Sequence, residues 1–277
     1  MGSLTNYAEN AVLEHLTRET AYTPAATLYL ALCTGDPGEA ATGASCNECS
    51  NSGNSYARAA ITFGAATSRS ISNSALVTFT TLTGSAGTAS HFAICDSGTY
   101  AAGNVLAYGQ FTESKVLVSG NTPTVAIGEI AISIASATLS NYAANGMLDR
   151  MFRNQAFTIS ANALGLATAT ISDSTTGSTV TEVANSNGYA RLAINAAGGA
   201  QPSWASAGSA SVTSNANQWT MPTPSGSWGT VVASFIANNA THASGEILIY
   251  DNGITDQAVG TDDVVYYATG QFSLTVA

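Results

Sequence analysis

Apolar positions along the chain change their period, and then change it again in the same way. Behind Thr5, Ala8, Val12, Leu13 and Leu16 recur at helical spacing, with the Thr5 hydroxyl placed to cap the first turn. The period then drops to two. Leu28, Leu30 and Leu32 alternate with Tyr29, Ala31 and Cys33; Phe92 and Ile94 alternate with Ala93 and Cys95; Ile130, Ile132 and Ile134 close the series. Clusters of Ser, Asn and Gly separate these runs, the punctuation of short β-strands. Tyr142, Met147, Leu148 and Met151 then restore the helical spacing, and alternation follows once more.

Block by block, the second succession matches the first. "LTNYAENAVLEHLTR" (4–18) falls on "LSNYAANGMLDRMFR" (139–153), with Tyr7 over Tyr142 and Arg18 over Arg153. "TLYLALCT" (27–34) is set over "ALGLATAT" (163–170), and "SYARAAI" (55–61) over "GYARLAI" (188–194). "FTT" (79–81), "FAICD" (92–96), "GNVLAYG" (103–109) and "GEIAISI" (128–134) are set over "WTM" (219–221), "FIANN" (235–239), "GEILIYD" (245–251) and "GQFSLTV" (270–276). Order this regular implies a duplication. The expected boundaries are 1–136 and 137–277, joined near Ala135 with almost no linker. The expected fold is mainly β: two tandem β-sandwich or jelly-roll-like domains, each with a short N-terminal α-helix packed on a sheet or on its neighbour.

Composition narrows the functional classes. Charged residues make up only 9% of the 277, and lysine occurs once, at Lys115. Hydrophobic residues reach 45%, so the chain folds behind a neutral, hydroxyl- and amide-rich surface. Its net charge of −10 is spread over both halves and leaves no basic stripe, which argues against a nucleic-acid partner. No apolar run approaches membrane-spanning length, and Met1–Asn6 lacks the basic and apolar regions of a secretory signal, so no membrane partner is expected.

Candidate chemistry is sparse. Cys33, Cys46, Cys49 and Cys95 all fall in the first half, where the block alignment sets Ala169 and Asn238 opposite Cys33 and Cys95. A single CxxC and three scattered histidines (His15, His91, His242) make a poor zinc site, and the loop flanks do not suit a redox helix. Strand alternation turns Cys33 and Cys95 away from the leucine face, toward solvent or a neighbour; Cys46 and Cys49 read as part of a mobile surface loop. Glu246, Asp251, Asp256, Asp262 and Asp263 match no calcium loop and read as solvated turns. Arg58 and Arg191, repeated in "YAR", are expected to anchor a local carboxylate or cap carbonyls, each stem lying on Tyr56 or Tyr189. Trp219, set over Phe79, reads as a core strand residue, whereas Trp204 and Trp228, near Pro and Gly and flanked by small polar residues, read either as loop packing or as interface anchors, the latter making them interface candidates beside Tyr7 and Tyr142. No catalytic set, metal site or cofactor site can be assembled.

The first half resembles a family of small virion proteins of tailed bacteriophages, loosely grouped as tail fibre proteins. The resemblance is carried by "LTNYAENAVLEHL", "YTPAATLYLALCTGDPGEAATG", "YARAAITFGAA", "SISNSALVTF", "HFAICDSG" and "GNVLAYGQF". The second half lacks the "CTGDPGE" loop and is assigned through the repeat. What the resemblance implies is a non-enzymatic, exposed accessory component of a virion, decorating the capsid or attached at neck, collar or tail. Its partners would be other virion proteins, with homo-oligomerisation expected. In a particle that leaves a reducing cytoplasm, exposed thiols would oxidise between subunits; unpaired or locally paired thiols are the other reading. The alternative function is a carbohydrate-binding adhesin, with Trp204 or Trp228 stacking on sugar rings.

Overall fold

The computed structural model describes residues 2–18, 20–136, 138–159, 161–195, 202–208 and 211–276. Two 13-residue helices open the halves, α1 (Asn6–Arg18) and α2 (Asn141–Arg153). Each begins at a hydroxyl that does two jobs. Thr5 Oγ1 accepts from the Ala8 amide and donates to the Val105 carbonyl; Ser140 Oγ accepts from Ala143 and donates to Ile247. One side chain thus caps the helix and ties its start to the matching strand of its own half. Asn154, with φ 52°, closes α2 in the left-handed conformation.

Each half is then built on one antiparallel sheet. In the first half the strand order is Ser3–Leu4, Val105–Leu117, Gly87–Cys95, Leu28–Cys33, Ala59–Ile61. The second half repeats it as Ile247–Asp251, Ala233–Ala237, Asn162–Ala167, Leu192–Ile194, with a Leu139–Ile249 bridge where Leu4 pairs with Ala107. Two-stranded sheets complete the architecture, Ser70–Ser72 with Ala131–Ser133 answering Val212–Ser214 with Ser273–Thr275. Ile71, Val77, Val125 and Ile132 from the small sheets share a core with Leu30, Leu32 and Phe92 of the main one. The fold is mainly β in two similar, sandwich-like halves.

The core does not stop at the junction. Leu13 and Leu16 of the first half and Met147, Leu148, Met151, Trp219 and Leu274 of the second belong to one apolar cluster. Its continuity comes from reciprocal helix packing. α1 packs on the Val212–Ser214 strand of the second half, and α2 on the Ser70–Ser72 strand of the first. Polar contacts follow the same pseudo-two-fold relation. Glu14 accepts from the Ala207 amide at 2.6 Å, and Asp149, at the matching helix position, from the Ala66 amide at 2.9 Å. His15 bonds the Phe157 carbonyl at 2.8 Å, while Arg150 reaches the matching carbonyl of Tyr22 at 2.9 and 3.1 Å. This is the pattern of an isologous dimer interface, made within one chain.

Pairing also corrects three blocks of the sequence alignment. The Tyr56 hydroxyl accepts from Leu32 N and the Tyr189 hydroxyl from Leu166 N, both at 2.9 Å. Leu32 therefore corresponds to Leu166, two positions from the alignment made on the alternating pattern. Leu32 pairs with Phe92 and Leu166 with Ser234, which also moves the "FAICD" block by one. Phe79 N bonds Pro123 O and Met221 N bonds Val265 O, so Phe79 corresponds to Met221 and Val77 to Trp219.

Candidate functional site

The best-built polar site occurs twice, at the same end of each sheet. Arg58 Nε and Nη2 bond the two oxygens of Glu48 at 3.0 and 2.8 Å, Nη1 bonds the carbonyls of Ser97 and Ala102 at 2.8 Å, and Nη2 reaches Gly43 O at 3.2 Å. Arg191 repeats this with Glu182 (2.8 and 2.8 Å), Asn239 O (2.7 Å), Ser244 O (2.8 Å) and Gly177 O (3.3 Å). The Tyr56 and Tyr189 hydroxyls complete the sites at 3.2 and 2.8 Å from Glu48 and Glu182. Both guanidinium side chains are fully buried. Gly43 and Gly177 are required there: a Cβ would lie 2.0 Å from Ala102 O or 2.2 Å from Ser244 O.

The expectation that these arginines anchor a carboxylate and cap carbonyls therefore holds at both positions. Glu48 and Glu182 were not singled out from the sequence, because no spacing marks a carboxylate that meets an arginine across a long loop. Burial alone would raise the Glu182 carboxyl. The Arg191 hydrogen bonds, the Ala243 amide and the Tyr189 hydroxyl outweigh it and hold the group below the usual range. A fully bonded, saturated ion pair has no free proton or open face to offer a substrate. What it does is clamp two loops: residues 34–58 to 96–104 in one half, 168–191 to 238–246 in the other.

The cysteines are not where alternation alone put them. All four are buried free thiols. Cys33, Cys46 and Cys95 form a small cluster with Ala31, Ala41, Ala93 and Val105 on the face of the sheet opposite the main core. Alternation assigned the face correctly, but the 34–49 loop covers it: Thr34 N bonds Asn47 O and Cys49 N bonds Leu32 O. Cys49 lies in the main core, and burial pushes its thiol up to about 12. Hydrogen bonding within the cluster and burial raise Cys33 and Cys95, and the Cys46 thiol donates to the Gly43 carbonyl at 3.7 Å. Cross-linking between subunits through exposed thiols has no exposed thiol to use.

The second half shows what the cluster does. Ala167 and Ala237 stand where Cys33 and Cys95 stand, and Phe235 replaces Ala93 over Gly165. The Phe235 ring fills the space, lying 5.0 Å beneath the Arg191 guanidinium. Three thiols and one phenyl ring are alternative fillings of one volume under the arginine clamp.

Trp204 and Trp228 are corrected as well. Both are buried, as is Trp219. Trp204 packs edge-on against Trp219 at 4.8 Å, and Trp228 against Tyr189 at 5.2 Å while donating to Asn187 O. Neither ring is open to a sugar or a partner. Tyr7 and Tyr142, by contrast, stay exposed at matching helix positions. Of the C-terminal acids, Asp251 and Asp263 accept from amides of their own turns, at 2.7 Å each. Among the described residues no three His, Cys, Asp or Glu side chains converge to hold a metal ion, and no helix is long and apolar enough to cross a membrane.

Two similar halves, each a helix leading into clamped β-strands, are what one family model matches twice in this chain. It covers residues 3–133 and again 138–275, and the family is described as podophage GP4 fiber I protein gp80. The chain belongs to this family. It is a virion component of the phage fibre type, and the family is a structural one. Among curated proteins none matches the chain.

Proposed function

We propose that this protein is a non-enzymatic accessory component on the outside of a podophage particle, and that it docks to neighbouring virion proteins. The docking surfaces are the clamped loop pairs at the ends of the two sheets, one on each unit, 1–136 and 137–277, with Tyr7 and Tyr142 on the flanking helices. The observation that carries this reading is the duplicated Tyr–Glu–Arg clamp. Ordering long polar loops costs entropy that a free loop tip would not repay, and loops held in advance bind without paying it again. A surface poor in charge makes such contacts tolerant of salt. Attachment at the capsid, neck or tail, and assembly into a homo-oligomer, are compatible with these surfaces.

Carboxylate-directed cross-linking of intact particles with a dihydrazide, followed by mass spectrometry, tests it, since lysine chemistry has only Lys115 to work on. Asp36 and Glu39, exposed on the 34–49 loop, are expected to link to another virion protein or a second copy. Links confined to residues of the same chain would overturn the docking assignment. The adhesin reading based on Trp204 and Trp228 loses its support with the burial of both rings.

A further inference from the structure

The two halves differ most where one position set is plugged in the first and open in the second. In the first half Phe92 packs on Phe111 with ring centroids 5.5 Å apart, and Phe92 lies over Gly109, its cross-strand partner. Lys115 sits 5.0 Å above the Phe111 ring and is held there by Glu129 at 2.9 Å. The pairings Phe92–Gly109 and Gly87–Leu117 become Ser234–Asp251 and Gly229–Val259 in the second half, with no insertion between them. Phe92, Gly109, Phe111 and Lys115 are therefore replaced by Ser234, Asp251, Gly253 and Gln257. Gly128 and Gly270 share the same left-handed turn, which sets Gln271 at the place of Glu129. Two rings and an ion pair are gone together.

What remains is a cavity of about 370 Å³, with Gly253, Gln257, Gln271 and Asp251 among its lining residues. That volume is at the lower end of small-molecule sites. Its floor is apolar (Leu166, Val231, Val259, Val265), and Tyr266, half exposed, stands with Tyr267 at one wall. Beneath, the fully buried Ser234 hydroxyl lies near the Tyr267 phenol without completing a hydrogen bond. Gln271 Oε1 accepts from the Ala268 amide at 2.9 Å, which fixes the side chain and leaves its NH2 to donate; the Gln257 amide has no partner among the described residues.

The geometry points to a binding site for a neutral saccharide in the second half. The lining holds no Lys or Arg, so an anionic ligand gains nothing there. Uncharged amides and the Thr255 hydroxyl donate and accept at once, which suits ligand hydroxyls, and the Asp251 carboxylate accepts from two neighbouring ones. Tyrosine faces and the apolar floor suit the C–H face of a sugar ring. A packing defect would leave bare apolar walls; here two positions have become amides and one a carboxylate. This site does not depend on which surfaces dock the chain in the particle.

Saturation-transfer difference NMR on the full chain tests the site with glucose, galactose, mannose, maltose and lactose, and with N-acetylneuraminic acid as the anionic control. At least one neutral sugar is expected to bind and the anionic sugar not to. Gly253→Phe restores the ring that the same backbone carries in the first half and is expected to lower affinity at least tenfold. Gln257→Lys with Gln271→Glu rebuilds the covering ion pair and is expected to do the same if Gly253→Phe fails to fold. No neutral sugar binding to the unaltered chain, binding that survives in both closed variants, or equal binding of the anionic control would each overturn the assignment.

Discussion

Replacing Arg191 by Met is the sharpest test of the clamp. Methionine keeps the stem volume and removes the guanidinium, so the change isolates the charge and its five hydrogen bonds. Glu182, only 1% exposed in its side chain, would keep the Ala243 amide at 3.0 Å and the Tyr189 hydroxyl at 2.8 Å but lose its counter-charge. A buried ion left alone costs about 3–5 kcal/mol. Three carbonyls, of Gly177, Asn239 and Ser244, lose their donor as well. For a chain of this size the loss corresponds to a fall in Tm of roughly 6–20 °C, at about 2–4 °C per kcal/mol. The assay is urea unfolding at neutral pH, followed by tryptophan fluorescence, because all three tryptophans are buried in the second half. Adding Glu182→Met removes the stranded charge and should recover part of the loss, although the carbonyls remain uncapped. A cost below about 1 kcal/mol for Arg191→Met, the range of an exposed surface pair, would refute the reasoning.

Arg58→Met should cost as much and, through the shared core, should move the tryptophan transition although the first half holds no tryptophan; an unmoved transition would show that the halves unfold separately. Stability should fall with pH in two windows. Burial, with the charge of Arg150, lowers His15 from its ordinary 6.5, and the neutral ring accepts from Tyr22 N at 3.3 Å, so stability is lost as pH drops from about 6.5 through the folded value. Glu182, held below its ordinary 4.5, adds a loss that begins only near that value, so His15→Gln should flatten the upper window alone in pH-dependent urea midpoints. The four thiols should be silent to a thiol reagent in the folded chain and all four should react in urea; a fast-reacting thiol in the folded state would contradict their burial. Gly165→Ala should destabilise by about 1–3 kcal/mol in the same unfolding assay, since its Cβ would lie 2.3 Å from the Phe235 ring; a neutral effect would mean that the ring moves freely.

Much of the fold was legible in the sequence, and the failures are instructive. The helix at Asn6–Arg18, its Thr5 cap and the duplication could all be read, because a cap and a 3.6-residue stripe are local signals. The Leu28–Cys33 and Asn162–Ala167 strands were aligned two residues out of register for a physical reason: a slip of two leaves every side chain on its own face. Contacts made in three dimensions, such as the Tyr56 and Tyr189 hydroxyl bonds, fix the register. Cys33 and Cys95 were placed on the right face, but nothing local says that a loop folds back over it. Trp204 and Trp228 looked like surface residues because their sequence neighbours are small and polar, and several of those, Ser206, Ser227 and Gly229 among them, are indeed exposed while the rings themselves turn inward. The arginine clamps were half legible, as the arginines repeat in "YAR" while their carboxylates lie in loops of no fixed spacing. The second-half cavity was invisible, since Ser234, Gly253, Gln257 and Gln271 mean something only beside their counterparts.

The reciprocal packing of the helices has a mechanical consequence. Each helix rests on a strand of the other half as well as on its own sheet, so the few residues between the halves are not the only tie across the junction. Separating the halves requires stripping both helices from apolar seats at once, with Glu14, Asp149, His15 and Arg150 breaking their bonds together. Pulled apart, the two halves are therefore expected to separate in one cooperative step instead of hinging in the middle.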